Sequence, residues 1–171
     1  PIAEDCGIIS ELTQHLLEDA CKVAATWPDD LYLSFNLSPV QLQDPALPTQ
    51  INAILKRFEF PPSRLVLEIT ETSLVKNPES AKRILTELTE AGISIALDDF
   101  GAGHSSLSYL RDFPIKKVKI DKSFTERMLE DKQCAAIVEA ILVLSKGLDI
   151  DAVAEGIEES AVHDALNSNG C

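Results

Sequence analysis

Asn36, Glu68, Asp98, Lys119 and Glu155 each close a short run of residues that reads as a β-strand. Carboxylate and carboxamide oxygens suit a hard divalent cation, magnesium or manganese rather than zinc, and an amine beside them can handle an activated water. The densest signal is Asp98-Asp99-Phe100-Gly101-Ala102-Gly103-His104-Ser105-Ser106, directly after one such run. Adjacent carboxylates at a strand end repel unless a cation binds between them. Strand alternation points Asp98 inward and Asp99 away. Asp99 is therefore expected to join a site because the strand ends there and the loop turns, with Gly101 and Gly103 supplying the freedom. An acidic solvated turn is the competing reading, and an inward Asp98 would make it costly.

Glu68 also points inward at a strand end, whereas Glu71 falls on the opposite parity. Glu68 is assigned to metal binding and Glu71 to support of the Asp99 loop; a helix-start acid favoured by the macrodipole is the alternative for Glu71. Asn36 offers a neutral oxygen. Lys119 points inward among carboxylates, where it stays charged, can orient a water or share its proton, and can offset charge developing on phosphorus. A surface strand carrying Lys117 and Lys119 is the competing reading, and Asp121 just beyond the strand favours the functional one. Glu155 is read as a second-metal or water ligand, and Glu158 as a helix cap supporting that loop. His15 and His163 lie in helical stretches and are given no role. His104 sits in the functional loop, where a solvated histidine is the simpler reading. Glu139 in Val138-Glu139-Ala140-Ile141-Leu142 falls in mid-helix and is read as packing.

Alternating strands and amphipathic helices must position these residues. Helical spacing covers 8–27, 48–58, 78–91, 133–145 and 159–166, and strands are expected at 31–37, 65–69, 94–97, 117–120 and 150–154. Gly92 and Gly147 stand near helix ends. One strand parity collects Leu33, Phe35, Leu37, Leu67, Ile69, Ile95, Leu97, Val118, Ile120, Ala152 and Ala154, a face for a helical layer. The other collects small and polar residues leading to the five tips. A doubly wound sheet would be apolar on both faces. A closed barrel with its site at the C-terminal strand ends fits better, so the expected fold is an α/β (β/α)₈ TIM-like barrel. Only about five strands are visible, so one incomplete barrel domain is expected over residues 1–171.

The 171 residues can bury a core, and 28 acidic against 15 basic side chains leave a net charge of −13. Such a charge opposes binding to DNA or an anionic membrane, and a phosphate ligand would need a metal. No apolar run approaches a membrane span and residues 1–7 lack a signal-peptide pattern, so a cytoplasmic domain is expected. Cys6, Cys21, Cys134 and Cys171 show no zinc-ligand spacing and are expected to be reduced packing residues.

Taken in order, Asn36-Leu37-Ser38 with Gln41-Leu42, Glu68-Ile69-Thr70-Glu71, Asp98-Asp99-Phe100-Gly101-Ala102-Gly103, Lys119-Ile120-Asp121 and Ala154-Glu155-Gly156-Ile157-Glu158 resemble the EAL domain family over nearly the whole chain. The resemblance implies a (β/α)₈ barrel with one reversed strand. It also implies hydrolysis of cyclic di-GMP to linear pGpG with two Mg²⁺ or Mn²⁺ ions. By position, Asn36, Glu68 and Asp98 match ligands of the first ion. Asp98 bridges to the second, and Asp99 is a ligand of that second ion. Lys119 matches the residue engaging the nucleophilic water, Glu155 a further acid near the second metal, and Glu71 the glutamate steadying the Asp99 loop. Ser38 and Gln41 are expected at the substrate. Family habit adds a homodimer, fusion to sensory or diguanylate cyclase domains, and the cytoplasmic side of a larger, membrane-anchored protein. The Glu-Ala-Leu signature, whose glutamate binds the first ion, is expected upstream of Pro1, and a glutamine-containing strand after Cys171. A chain without that carboxylate is expected to hold metal weakly and to be inactive by itself. Ala102 and His104 stand where the family often has threonine and tyrosine.

Two other functions compete. A degenerate domain that binds cyclic di-GMP without cutting it should have lost Asp98, Asp99, Lys119 or Glu68, yet all four match. An unrelated metal-dependent barrel that abstracts a proton beside a carboxylate would explain the acids and Lys119 but not the ordered motifs.

Overall fold

The computed structural model describes residues 2–75, 77–101 and 107–171. The chain divides into two compact units, Pro1–Ile95 and Ala96–Cys171.

The first unit opens with a short helix α1 (Ile2–Asp5) and α2 (Ile9–Ala24). Helix α2 buries Thr13, Leu17, Cys21 and Ala24, one stripe at helical spacing. Strand β1 (Leu33–Asn36) follows, then a tight turn at Gln41–Gln43 and α3 (Leu47–Arg57), where Pro48 occupies the first turn, the place a helix tolerates it. A second tight turn, Pro62–Arg64, feeds β2 (Leu65–Thr70). Helix α4 (Glu71–Val75) starts at once, and α5 (Pro78–Glu90) is capped by the Asn77 side chain accepting from the Ser80 N–H. Strands β1 and β2 are parallel, with Asn36 the direct partner of Glu68, so both side chains leave the same face. Arg64 ties this unit together. It is buried and donates to the carbonyls of Leu31 at 2.7 Å, Pro28 at 2.9 Å, Ala24 at 3.3 Å and Trp27 at 3.4 Å, with its guanidinium over the Phe60 ring.

Strand β3 (Ser94–Phe100) contains the boundary between the units. In the second unit it pairs in parallel with β4 (Lys117–Ile120), which pairs in parallel with β5 (Asp151–Ala154). Helices α6 (Leu107–Asp112), α7 (Lys122–Thr125), α8 (Lys132–Leu148) and α9 (Ser160–Ser168) complete the unit. Val118 and Ile120 are wholly buried where α8 packs on β4, whereas Lys117 and Lys119 on the other parity stay half-buried.

Gly147 stands near the end of α8, as expected, and the left-handed exit itself is made by Asp149 at φ 58°, Asp being among the residues that tolerate this conformation. Two local expectations are corrected. Glu158 does not cap α9, which starts one residue later with Glu159 at the cap position and no side-chain cap bond. Of the cysteines, Cys21 and Cys134 are buried packing residues, but Cys6 and Cys171 are exposed.

Candidate functional site

The pairing of β3 with β4 places two residues opposite one. Leu97 faces Val118 and Phe100 faces Ile120, so Asp98 and Asp99 together oppose Lys119. This is a β-bulge. Asp99 takes the left-handed conformation at φ 54°, and its N–H donates to Asp98 Oδ1 at 3.1 Å. The expectation that the strand ends before Asp99 is therefore corrected: the strand continues to Phe100, and the bulge itself cancels the alternation that would send Asp99 to the helical side. Phe100 returns to the apolar face, 2 % exposed. Gly101 follows at φ 98°, where a Cβ would lie 3.0 Å from the Phe124 ring.

One carboxylate oxygen from each of Asp98, Asp99 and Glu155 lies within 4.8 Å of the others. Lys119 Nζ sits among them, 3.0 Å from Asp98 Oδ1 and 2.6 Å from Glu155 Oε1. Burial, the charges of Asp98 and Asp121, a hydrogen bond with Asp121 and the charge of Glu155 push the Asp99 carboxyl above its ordinary range. Asp121 is held below its ordinary range, first by the Ser123 hydroxyl, then by the Ser123 N–H at 2.9 Å and the bond with Asp99. Converging hard oxygens whose mutual repulsion one lysine only partly offsets fit a divalent cation.

In the first unit, Asn36 and Glu68 stand at the C-terminal tips of β1 and β2. Glu68 is buried and accepts a hydrogen bond from Ser34 Oγ, while Asn36 is exposed. Glu71 is the first residue of α4, the helix-start position of the alternative reading, and is buried. Ser38 Oγ donates to Glu4 Oε1. Gln41 is 2 % exposed, with its side-chain carbonyl accepting from the Ser38 N–H and the Thr13 hydroxyl, both at 3.1 Å. Gln41 thus braces the turn after β1, with Thr13 on α2 bonded to the same side-chain oxygen. Glu158 is exposed.

The structure brings together Asp98, Asp99, Lys119, Asp121 and Glu155 in the second unit, and Asn36 and Glu68 in the first. Ala102, Gly103, His104, Ser105 and Ser106 lie outside the described residues. Sequence reasoning passed over Glu4, Ser123 and Thr125. Ser34 it placed on the inward parity, two residues before Asn36, without a role.

These features define a class: an α/β domain of barrel type whose acidic groups gather at the C-terminal ends of parallel strands. The chain belongs to the EAL domain family, whose model matches residues 1–171. It is 48 % identical over 158 residues to an uncharacterized signaling protein of Caulobacter vibrioides, covering 92 % of this chain and 20 % of that protein. It is 39 % identical over 139 residues to the cyclic di-GMP phosphodiesterase RocR of Pseudomonas aeruginosa, covering 81 % of this chain and 36 % of RocR. The solved MucR phosphodiesterase of the same organism, in complex with c-di-GMP, superposes with a TM-score of 0.93 at 36 % identity, covering 100 % of this chain and 71 % of that one. The fold is the (β/α)₈ barrel type of these domains, represented here by the parallel pair β1–β2 in the first unit and the parallel strands β3, β4 and β5. The chain spans 20 % and 36 % of the length of the two curated relatives named.

Proposed function

We propose that this chain is part of a phosphodiesterase that hydrolyses cyclic di-GMP to linear pGpG. The observation that carries the reading is Lys119 Nζ held between Asp98 and Glu155 at 3.0 and 2.6 Å, with Asp99 brought to the same cluster by the bulge. Asp98, Asp99 and Glu155 would hold divalent cations, Mg²⁺ or Mn²⁺ by their oxygen-only chemistry, and two ions are proposed. Asn36 and Glu68 keep their assignment as cation ligands. The cations would supply Lewis acidity toward the attacking water and the phosphoryl oxygens. Lys119 orients that water through its N–H donors and offsets negative charge as it builds on phosphorus. Glu155 and Asp98 fix the ammonium in place, so it needs no reorganisation when charge develops. Asp121 caps α7 through Ser123 and hydrogen-bonds Asp99, which steadies the bulge. Support for the substrate comes from relatives named cyclic di-GMP phosphodiesterases and from the c-di-GMP complex of MucR. The reading extends to a homodimer on the cytoplasmic side, within a longer protein carrying sensory or cyclase domains; curated relatives that are several times longer support the last point.

The test incubates the full-length protein with c-di-GMP and Mg²⁺ or Mn²⁺ and follows linear dinucleotide by chromatography. Metal-dependent pGpG is the expected product. Tight c-di-GMP binding without product would replace this reading with that of a binding module.

A further inference from the structure

Glu155 is held by its backbone as well as by its side chain. Its N–H donates to the Ile120 carbonyl at 3.2 Å, and its carbonyl accepts from the Thr125 hydroxyl. Thr125 is 0 % exposed, the last residue of α7, and its hydroxyl also reaches the Lys122 carbonyl at 3.1 Å. A buried hydroxyl is costly unless it is bonded, and this one lies against the backbone of a residue in the acidic cluster. The next residue, Gly156, turns the chain at φ 66°. A Cβ there would stand 2.7 Å from Lys122 Cβ, closer than carbon atoms pack, with Lys122 Cα in ordinary contact at 3.5 Å. Thr125 and Lys122 lie three apart on one face of α7, so a single helical turn grips the Glu155-Gly156 corner at two points. The N-terminus of α7 is fixed in turn by Asp121, which caps it through Ser123.

We infer that Thr125, with the Gly156–Lys122 contact, is a positioning residue for the Glu155 carboxylate, setting where that acid stands relative to Asp98, Asp99 and Lys119 and so how tightly the cluster binds a divalent cation. The inference rests on the proposed cation site and not on the identity of the substrate. A glutamate carboxylate at the end of three rotatable bonds can be placed only as well as its backbone is anchored. Ligand placement within about half an ångström separates a competent site from a loose one. Losing the hydroxyl frees the corner to drift while keeping all three cluster carboxylates.

The experiment titrates Mn²⁺ into the full-length protein without nucleotide, by calorimetry, for the unaltered protein, Thr125→Val and Thr125→Ser, with thermal melts recorded alongside. Val keeps the shape and removes the donor, whereas Ser restores it. The expected result is Mn²⁺ affinity about tenfold weaker in Thr125→Val, the scale seen when a residue orienting a ligand is lost, and near-normal in Thr125→Ser. Gly156→Ala is expected to weaken Mn²⁺ binding in the same direction. If Thr125→Val does not fold, Thr125→Cys, a much weaker donor of similar reach, takes its place with the same expectation. Unchanged affinity in the Val or Cys variant, a Ser variant as weak as Val, or no Mn²⁺ binding by the unaltered protein overturns the inference. Mn²⁺ binding by the unaltered protein without pGpG formation would overturn the proposed reaction alone, since the titration judges positioning separately.

Discussion

The Lys119 ammonium stands 2.6 Å from Glu155 Oε1, where the tips of two parallel neighbouring strands meet, and its second carboxylate contact, Asp98, comes from the strand on its other side. The amine thus spans three adjacent strands at their C-terminal ends. Lys119→Met removes the donor and the charge with little change in volume. Turnover of c-di-GMP is expected to fall about a hundredfold to a thousandfold, as when one preorganised donor is deleted, with KM changed only slightly. A large rise in KM with kcat preserved would show that Lys119 grips substrate phosphate instead.

Asp99 combines a left-handed backbone with a carboxyl held above its ordinary range by burial and by Asp98, Asp121 and Glu155. A carboxyl whose folded-state value exceeds its unfolded value costs stability once the pH rises past the unfolded value of about 4. Metal-free protein should therefore lose this part of its stability as the pH rises from that value through the raised folded-state value. Asp99→Asn removes the titration and still accommodates the left-handed backbone. In EDTA at pH 7 the variant should melt higher than the unaltered protein, yet gain less from added Mn²⁺. Equal Mn²⁺-induced shifts in melting temperature would remove Asp99 from the cation site.

Arg64 gives a stability test distant from chemistry. Arg64→Met strands carbonyls of Ala24, Trp27, Pro28 and Leu31 that now share one guanidinium, and should cost about 2–4 kcal/mol, read from urea unfolding. Its ion-pair partner Asp29 is fully exposed at 3.3 Å, so Asp29→Ala should leave the midpoint unchanged. A larger loss from the Asp29 variant would assign the stabilisation to the charge pair and not to the carbonyls.

The thiols should label in order of exposure. Burial pushes the Cys21 thiol up to about 11, and Cys134 is also buried, whereas Cys6 is exposed. At pH 8 iodoacetamide should modify Cys6 well ahead of Cys21, which should react only after unfolding. Because folding raises the Cys21 value, this group costs nothing at neutral pH and lowers stability only as the pH climbs past about 9, its unfolded range. Early modification of Cys21, read by peptide mass analysis, would mean that α2 opens locally.

Much of the fold was legible because its cause is local. Helical spacing located α2, α3, α5 and α8 within a few residues, and the runs ending in Asn36, Glu68, Lys119 and Ala154 appear as strands. Strand parity separated Lys119 from Val118 and Ile120 before any neighbour was known. Glu158 was taken for the cap of α9 because the choice of the terminal residue of a helix depends on packing at its end. The hold of Thr13 on the Gln41 oxygen, across 28 residues, is a contact that no motif announces.

The sequence by itself determined the family, the parallel alternation of strands and helices and the identity of the acids and the lysine, since these follow from residue type, periodicity and order. Only the tertiary structure decided how Asp99 reaches the cluster and what holds Glu155. The bulge exists because β3 offers two residues where β4 offers one, and register is a property of paired strands, not of either alone. The Thr125 anchor spans 30 residues of chain, so it exists only once α7 and the tip of β5 have been folded together.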